Sequence, residues 1–323
     1  MLKITQCLAS LICVATFSGS SVAAEAPFPD RPITIVVSFP PGSANDLMGR
    51  VVAKRLTDTL AKPAVVENRP GAGGLIGAAS VARAKPDGYT LLLGSTSMVT
   101  SQLARKAPGY DVSKDFSPVG MVASAAMGVF VNTAAPANSL AEFIAYSKKN
   151  PGKIFYSSSG EGGIMHVEGE RFSLETGIKA THVPFSGGAP AVQALLGNEV
   201  QFVVIDVGAA LPMQRAGKLR LLAAGAPQRL ALFPDSPTFS ESGLSFSPNL
   251  WYGIFAPVST PANAMSVLRD ELAKLLKDAD YRAGLQNLNA QLPTVGPEQF
   301  KVIIDRDLAA YRDVMVKAKI EAQ

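Results

Sequence analysis

Two α/β lobes joined by a hinge are what this sequence predicts, and three observations predict it. Short apolar runs alternate along the chain with longer segments of helical period. Several of those runs are apolar on both faces, the pattern of parallel strands covered by helices. They are also too numerous for one compact sheet, and the series pauses once near its middle.

The first 24 residues stand outside the fold. Lys3 precedes an apolar run from Leu8 to Phe17 and then the small residues Ser18 to Ala24, the pattern of a secretory leader cleaved after Ala24 or, as the alternative, after Ala23. That run is shorter than the roughly 20 residues of a membrane-spanning helix. Both cysteines, Cys7 and Cys13, leave with the leader, and neither follows the small residue a lipid-attachment site requires. The mature chain is therefore expected to reach the periplasm without lipid, disulfides or thiolate chemistry. Formal charge over the 323 residues is only +4, with basic side chains scattered, so nucleic acid is not an expected partner.

Ile33 to Val37, Ala64 to Val66 and Thr90 to Leu93 read as the first strands. Leu47, Val51, Val52, Leu56 and Leu60 recur at helical spacing between the first two. Phe116-Ser-Pro-Val-Gly120 reads as an interruption, after which a second series begins with Gly128 to Val131, Lys153 to Tyr156, Val200 to Ile205 and Leu219 to Ala223. Ser139-Leu-Ala-Glu142 is a capping box opening a helix within it. Ile254 to Ala256 and two long helices follow, the last with Phe300, Ile303, Ile304, Leu308, Tyr311, Val314 and Met315 on one face. Packing of that helix on the first lobe would divide the chain into 25–123 and 229–323 for one lobe and 124–228 for the other, with two crossings as the hinge.

The segments that can carry binding chemistry follow strands. Phe39-Pro-Pro-Gly-Ser-Ala-Asn-Asp46 closes the first strand and opens the first helix. Such a turn aims unpaired N–H groups and the positive end of the helix dipole at an anion, although a capped helix start needs no ligand. Gly42 permits close approach, Ser43 and Asn45 add hydrogen bonds, Ala44 contributes backbone, and Asp46 either caps or pairs with Arg50. Ser157 to His166 repeats the arrangement in the second lobe, where Ser158, Ser159, Gly160, Glu161 and Gly163 form either a second jaw or an ordinary surface loop. Ser95, Thr96 and Ser97 after the third strand, and Phe185 and Ser186, are further candidates. Asp206 ends an apolar strand as a helix cap or as a charge at the sheet end, capping being the commoner role.

Other chemistries find little support. Gly71-Ala-Gly-Gly-Leu-Ile-Gly77 lacks the spacing of a dinucleotide loop and the lysine of a P-loop, and reads as a tight structural turn. His166 and His182 are the only imidazoles, and His182 lies in a strand with no cysteine or carboxylate at ligand spacing, so neither a metal nor a cofactor is expected. No G-x-S-x-G elbow is present. His166 could serve Ser158 as a base, but a lone histidine beside a glycine loop is more often structural or a hydrogen bonder, and no catalytic residue is assigned.

Three motifs occur together in a known family: Pro32-Ile-Thr-Ile-Val-Val-Ser-Phe-Pro-Pro-Gly42, Val66-Glu-Asn-Arg-Pro-Gly-Ala-Gly-Gly74 and Pro86-Asp-Gly-Tyr-Thr-Leu-Leu-Leu-Gly94. Asn150-Pro-Gly-Lys153, His182-Val-Pro184, Ala216-Gly-Lys-Leu-Arg220 and Trp251-Tyr-Gly-Ile-Phe-Ala-Pro257 extend the match over the mature chain. The sequence thus resembles the Bug family, the TctC-like binding components of tripartite tricarboxylate transporters. The resemblance implies a type II periplasmic-binding-protein fold and a carboxylate held in the interlobe cleft by amides, hydroxyls and water around Gly42 to Asp46, Ser95 to Ser97 and Ser158 to His166. Departures from the family pattern matter. Ser43 and Asn45 stand for a Gly and a Thr, Glu161 for an Asn, and Phe185-Ser186 for a Tyr-Lys pair. If both side chains face the cleft, a lost cation and a gained carboxylate disfavour a polyanion such as citrate and favour a monocarboxylate, an aromatic acid or an acid with its own amino group. Phe39, Met98, Met165, Phe185, Trp251 and Tyr252 are then the expected apolar lining. The partner implied is a transporter permease engaged by a monomeric closed form; a membrane sensor is the alternative, and a serine hydrolase a more distant one.

Overall fold

The computed structural model describes residues 28–245, 247–287 and 290–322, so the expected leader lies outside the described residues. Strands β1 (Ile33–Val37), β2 (Ala64–Asn68) and β3 (Thr90–Ser95) alternate with helices α1 (Ala44–Leu60), α2 (Leu75–Ala82) and α3 (Ser97–Leu103). Strand β4 (Phe116–Asn132) leads to α4 (Leu140–Lys149), β5 (Phe155–Ser158), α5 (Ile164–Thr176), β6 (Thr181–Pro184), α6 (Gly188–Leu196), β7 (Phe202–Asp206), α7 (Val207–Arg215) and β8 (Leu219–Ala224). Strand β9 (Asn249–Pro257) and helices α8 (Ala262–Leu275), α9 (Ala279–Asn287) and α10 (Pro297–Lys317) complete the described chain.

Among the described residues nine strands join in one curled sheet of order β2-β1-β3-β9-β4-β7-β5-β6, with β8 on β4. β1 pairs in parallel with β2 and β3, and β5 with β6 and β7, whereas β9 and β4 run antiparallel to their neighbours. The runs apolar on both faces lie inside: Ile35, Val36 and Val37 in β1 and Phe202, Val203 and Val204 in β7 are buried. Edge strand β2 instead alternates in burial, as one solvated face requires.

The long β4 carries the chain from one half to the other. Phe116 to Ala126 pair with β9, and Met127 to Asn132 with β7 and β8. The expected interruption at Phe116 to Gly120 is therefore corrected: these residues lie inside β4. Pro118 is tolerated because this stretch has a described partner on one side alone, and the ladder shifts register at Pro118/Gly120 and Met121/Ala123. The chain recrosses beside Met127, whose amide donates to Pro248 and whose carbonyl accepts from Gly225. A Cβ on Gly225 would collide with the Pro248 backbone, so glycine permits this crossing.

Helix α10 buries Phe300 against Trp251 at a ring separation of 5.1 Å and against Gly253, where a Cβ would meet the ring at 2.4 Å. It thus packs on the first half while Tyr311 reaches Glu168 of α5 in the second, at 2.8 Å. Trp251 is core, its indole N–H donating to Asp307, and does not line a ligand site as expected.

Candidate functional site

The carboxyl ends of β1 in one half and of β7 in the other face one cleft. Its non-atom volume is ≈ 750 Å³, partly open to solvent, and its walls are Gly42, Ala44, Leu47 and Met48 from α1 and its turn, Asp206, Gly208 and Ala209 from α7, Ala125 and Tyr252 from the crossing strands, and Ala290. Residues from both halves and from both crossings thus bound one space, the arrangement in which closure can bury a small ligand.

The α1 side is built around a carboxylate turned inward. Asp46 is 2 % exposed; it accepts from the Gly42 amide at 2.8 Å and the Asn68 amide group at 2.9 Å, and pairs with Arg50 at 2.9 Å. Although burial acts to raise its pKa, these bonds outweigh it and hold the carboxyl below its ordinary range. Asp46 therefore staples the turn; neither cap nor ligand group, it takes the Arg50 role of the two expected. The cap is Ser43, whose hydroxyl accepts from the Asp46 amide at 3.2 Å. Among the described residues no partner accepts from the amides of Ala44 and Asn45, which stand at the positive end of a 17-residue helix.

Three oxygens at this end of the sheet, Ser38 Oγ, Asn45 Oδ1 and Ser95 Oγ, are buried without a described hydrogen-bond partner. Orphaned buried oxygens are rare in folded proteins and mark a place that polar matter completes. Beneath them the glycine turn expected to be structural packs on β1. A Cβ at Gly77 would meet Ser38, and Gly74 lies against Phe39. The half-buried Phe39 is a wall of that turn, and its carbonyl accepts from Asn68. Thr96 is taken up structurally, its hydroxyl accepting from the Trp251 amide at 2.9 Å, while Ser97 opens α3, half-buried.

The helix start that lines the cleft from the second half belongs to α7, where the sequence pointed to α5. Asp206 caps α7, accepting from the Ala209 amide at 3.1 Å, and its burial at the cleft wall pushes the carboxyl up to about 6. It fills both alternatives left open by the sequence: a cap and a charge at the sheet end. Ser158 is fully buried, its hydroxyl 2.6 Å from His182 Nε2 and 3.1 Å from the Gly160 amide.

The base beside Ser158 is therefore His182, not His166. His166 stacks on His182 at 3.7 Å and accepts from the Gly162 amide through Nδ1 at 3.0 Å. Burial pulls both imidazoles down, to about 4 for His166 and about 3 for His182, so both are neutral posts that hold the loop. Gly162 packs on Ala104 of α3, and Gly163 caps α5 without a side-chain bond. Ser159, Glu161 and Ser186 are exposed, and Phe185 is half-buried with its amide donating to Ser158. Neither Glu161 nor Ser186 lines the cleft, and the carboxylate that does is Asp206. Of the expected apolar lining Tyr252 is present, whereas Met98 and Met165 are buried in the core.

Gly208, Ala209, Ala125, Leu47, Met48 and Ala290 were not anticipated. A signal for the first two existed, since Asp206-Val-Gly-Ala209 is another strand end followed at once by a helix, but with no loop between them nothing marks it.

Residues 48–318 match the family described as the tripartite tricarboxylate transporter family receptor, TctC. Protein BugT of Bordetella pertussis is 36 % identical over 97 % of this chain and 98 % of its own. The solved periplasmic binding protein BugD superposes with a TM-score of 0.80 at 32 % identity, covering 92 % of this chain and all of BugD. An R. palustris protein solved with adipate gives 0.82 at 29 % identity over 90 % of this chain and 98 % of its own. The fold, the cleft and these similarities together make this chain a member of the TctC receptor family, the Bug type of two-lobed periplasmic solute-binding proteins, which bind rather than transform.

Proposed function

We propose that this protein captures a small carboxylate in the cleft between α1 and α7 and presents the closed form to the membrane subunits of a tripartite tricarboxylate-type transporter. One observation carries the ligand reading: the Ala44 and Asn45 amides at the start of α1 have no described partner, beside a cleft whose lining contains neither lysine nor arginine. An anion there is held by backbone dipoles and needs no cationic side chain. Adipate in the R. palustris relative supports the same ligand class. Residues 25–123 with 229–323 form one jaw and 124–228 the other, β4 and the Gly225 to Asn249 return are the hinge, and the leader before Glu25 carries the chain to the periplasm. Closure is driven by the ligand's greater affinity for the closed form.

A thermal-shift screen of mono-, di- and amino-carboxylates tests the reading. An acid present at about 100 times its dissociation constant stabilises the fold by roughly 2.7 kcal/mol and raises the midpoint by a few degrees. A shift produced by uncharged compounds alone would remove the carboxylate from the proposal.

A further inference from the structure

We propose that Asp206 makes this receptor selective for a ligand that is both acid and amine, with the ligand carboxylate at the start of α1 and its ammonium group against the Asp206 carboxylate. This rests on the carboxylate reading above and narrows it.

Among the described residues lining the cleft, Asp206 and Tyr252 are the ionisable ones. Tyr252 stays neutral, since burial and the nearby Asp206 charge both raise its pKa. Arg50, the cation nearest in sequence to the start of α1, is paired with Asp46, and His166 and His182 are neutral within the Ser158 cluster. Asp206 cannot swing away without uncapping α7, because its Oδ1 holds the Ala209 amide. Its raised pKa of about 6 is the electrostatic sign of a carboxylate desolvated without a compensating cation.

A ligand ammonium supplies that cation. A second ligand carboxylate at the same wall would place two like charges together, which disfavours the doubly ionised pair. The positive start of α1 and the negative charge of Asp206 therefore form the two poles of a zwitterion site, both in the lining of one space.

The probes are amino acids, each matched with its des-amino acid and with the dicarboxylate of equal length: alanine with propionate and malonate, 4-aminobutyrate with butyrate and succinate, 5-aminopentanoate with pentanoate and glutarate. Titration calorimetry on the mature protein is expected to find an amino acid bound about tenfold or more tightly than both of its partners, the worth of one charge-assisted hydrogen bond. In Asp206→Asn and Asp206→Ser, which both retain an N-cap acceptor, that margin should fall to about threefold or less while the ligand-free melting temperature holds. If acids bind but the amine confers no advantage, or the margin survives in both variants, the inference is wrong and the carboxylate reading stands. If no acid binds with or without an amine, both fall together.

Discussion

Glu168 gives the sharpest stability prediction. This carboxyl is fully buried on α5, accepts from the Tyr311 hydroxyl of α10 at 2.8 Å, and has Arg171 at 3.9 Å, while its second oxygen has no described hydrogen-bond partner. Desolvation raises its pKa from 4.5 to about 7, opposed by Arg171 and the Tyr311 bond and assisted by Asp307. Because the folded value lies above the unfolded one, the folded state binds the extra proton between those two pH values. Stability on this account is greatest below the unfolded pKa, declines as pH rises, and is lost by the time pH has passed the folded value. Between pH 5 and pH 8 the group costs about 2.5 kcal/mol of stability. Glu168→Gln keeps an oxygen for Tyr311 and removes the titration. Urea unfolding at half-unit intervals across this range should show wild type losing about 2.5 kcal/mol more than the variant. Parallel profiles for the two proteins would refute the reasoning and mean that Glu168 stays ionised in the fold.

The α1 jaw supports two further predictions. Asp46→Ala removes the acceptor of Gly42, Asn68 and Arg50 at once, and should lower stability by about 3 kcal/mol and abolish carboxylate binding; an unchanged melting temperature would show that the turn holds without its staple. Gly42→Val meets no atom within 4 Å but must adopt φ +80, so it should cost roughly 1–2 kcal/mol while eliminating binding in calorimetry. Undiminished affinity would place the ligand away from this turn.

The sequence was most legible where chemistry is local. Strands buried on both faces announced themselves in β1 and β7, because covering helices leave no room for a polar side chain on either face. The start of α1 was readable from turn chemistry, although Ser43 and not Asp46 caps it, and the turn after β2 was readable from its glycines, of which Gly71, Gly73 and Gly74 have positive φ. Strand β4 was largely hidden, since Pro118 and Gly120 are breaker signals and the alanines at 123, 125 and 126 have low strand propensity. Pairing with β9 overrides both, and pairing is a nonlocal fact.

The same division runs through the site. Local sequence by itself determined an α/β chain with anion-ready helix starts, because strand periodicity and capping depend on residues a few positions apart. Tertiary structure alone decided which starts share a space. It turned Asp46 inward, withdrew Ser158 and both histidines into one cluster, and set Asp206 on the lining of the same cleft as Ala44. Those choices follow from the crossing of β4 and β9 and the packing of helices on the curled sheet, which bring together residues 160 positions apart that no local pattern links.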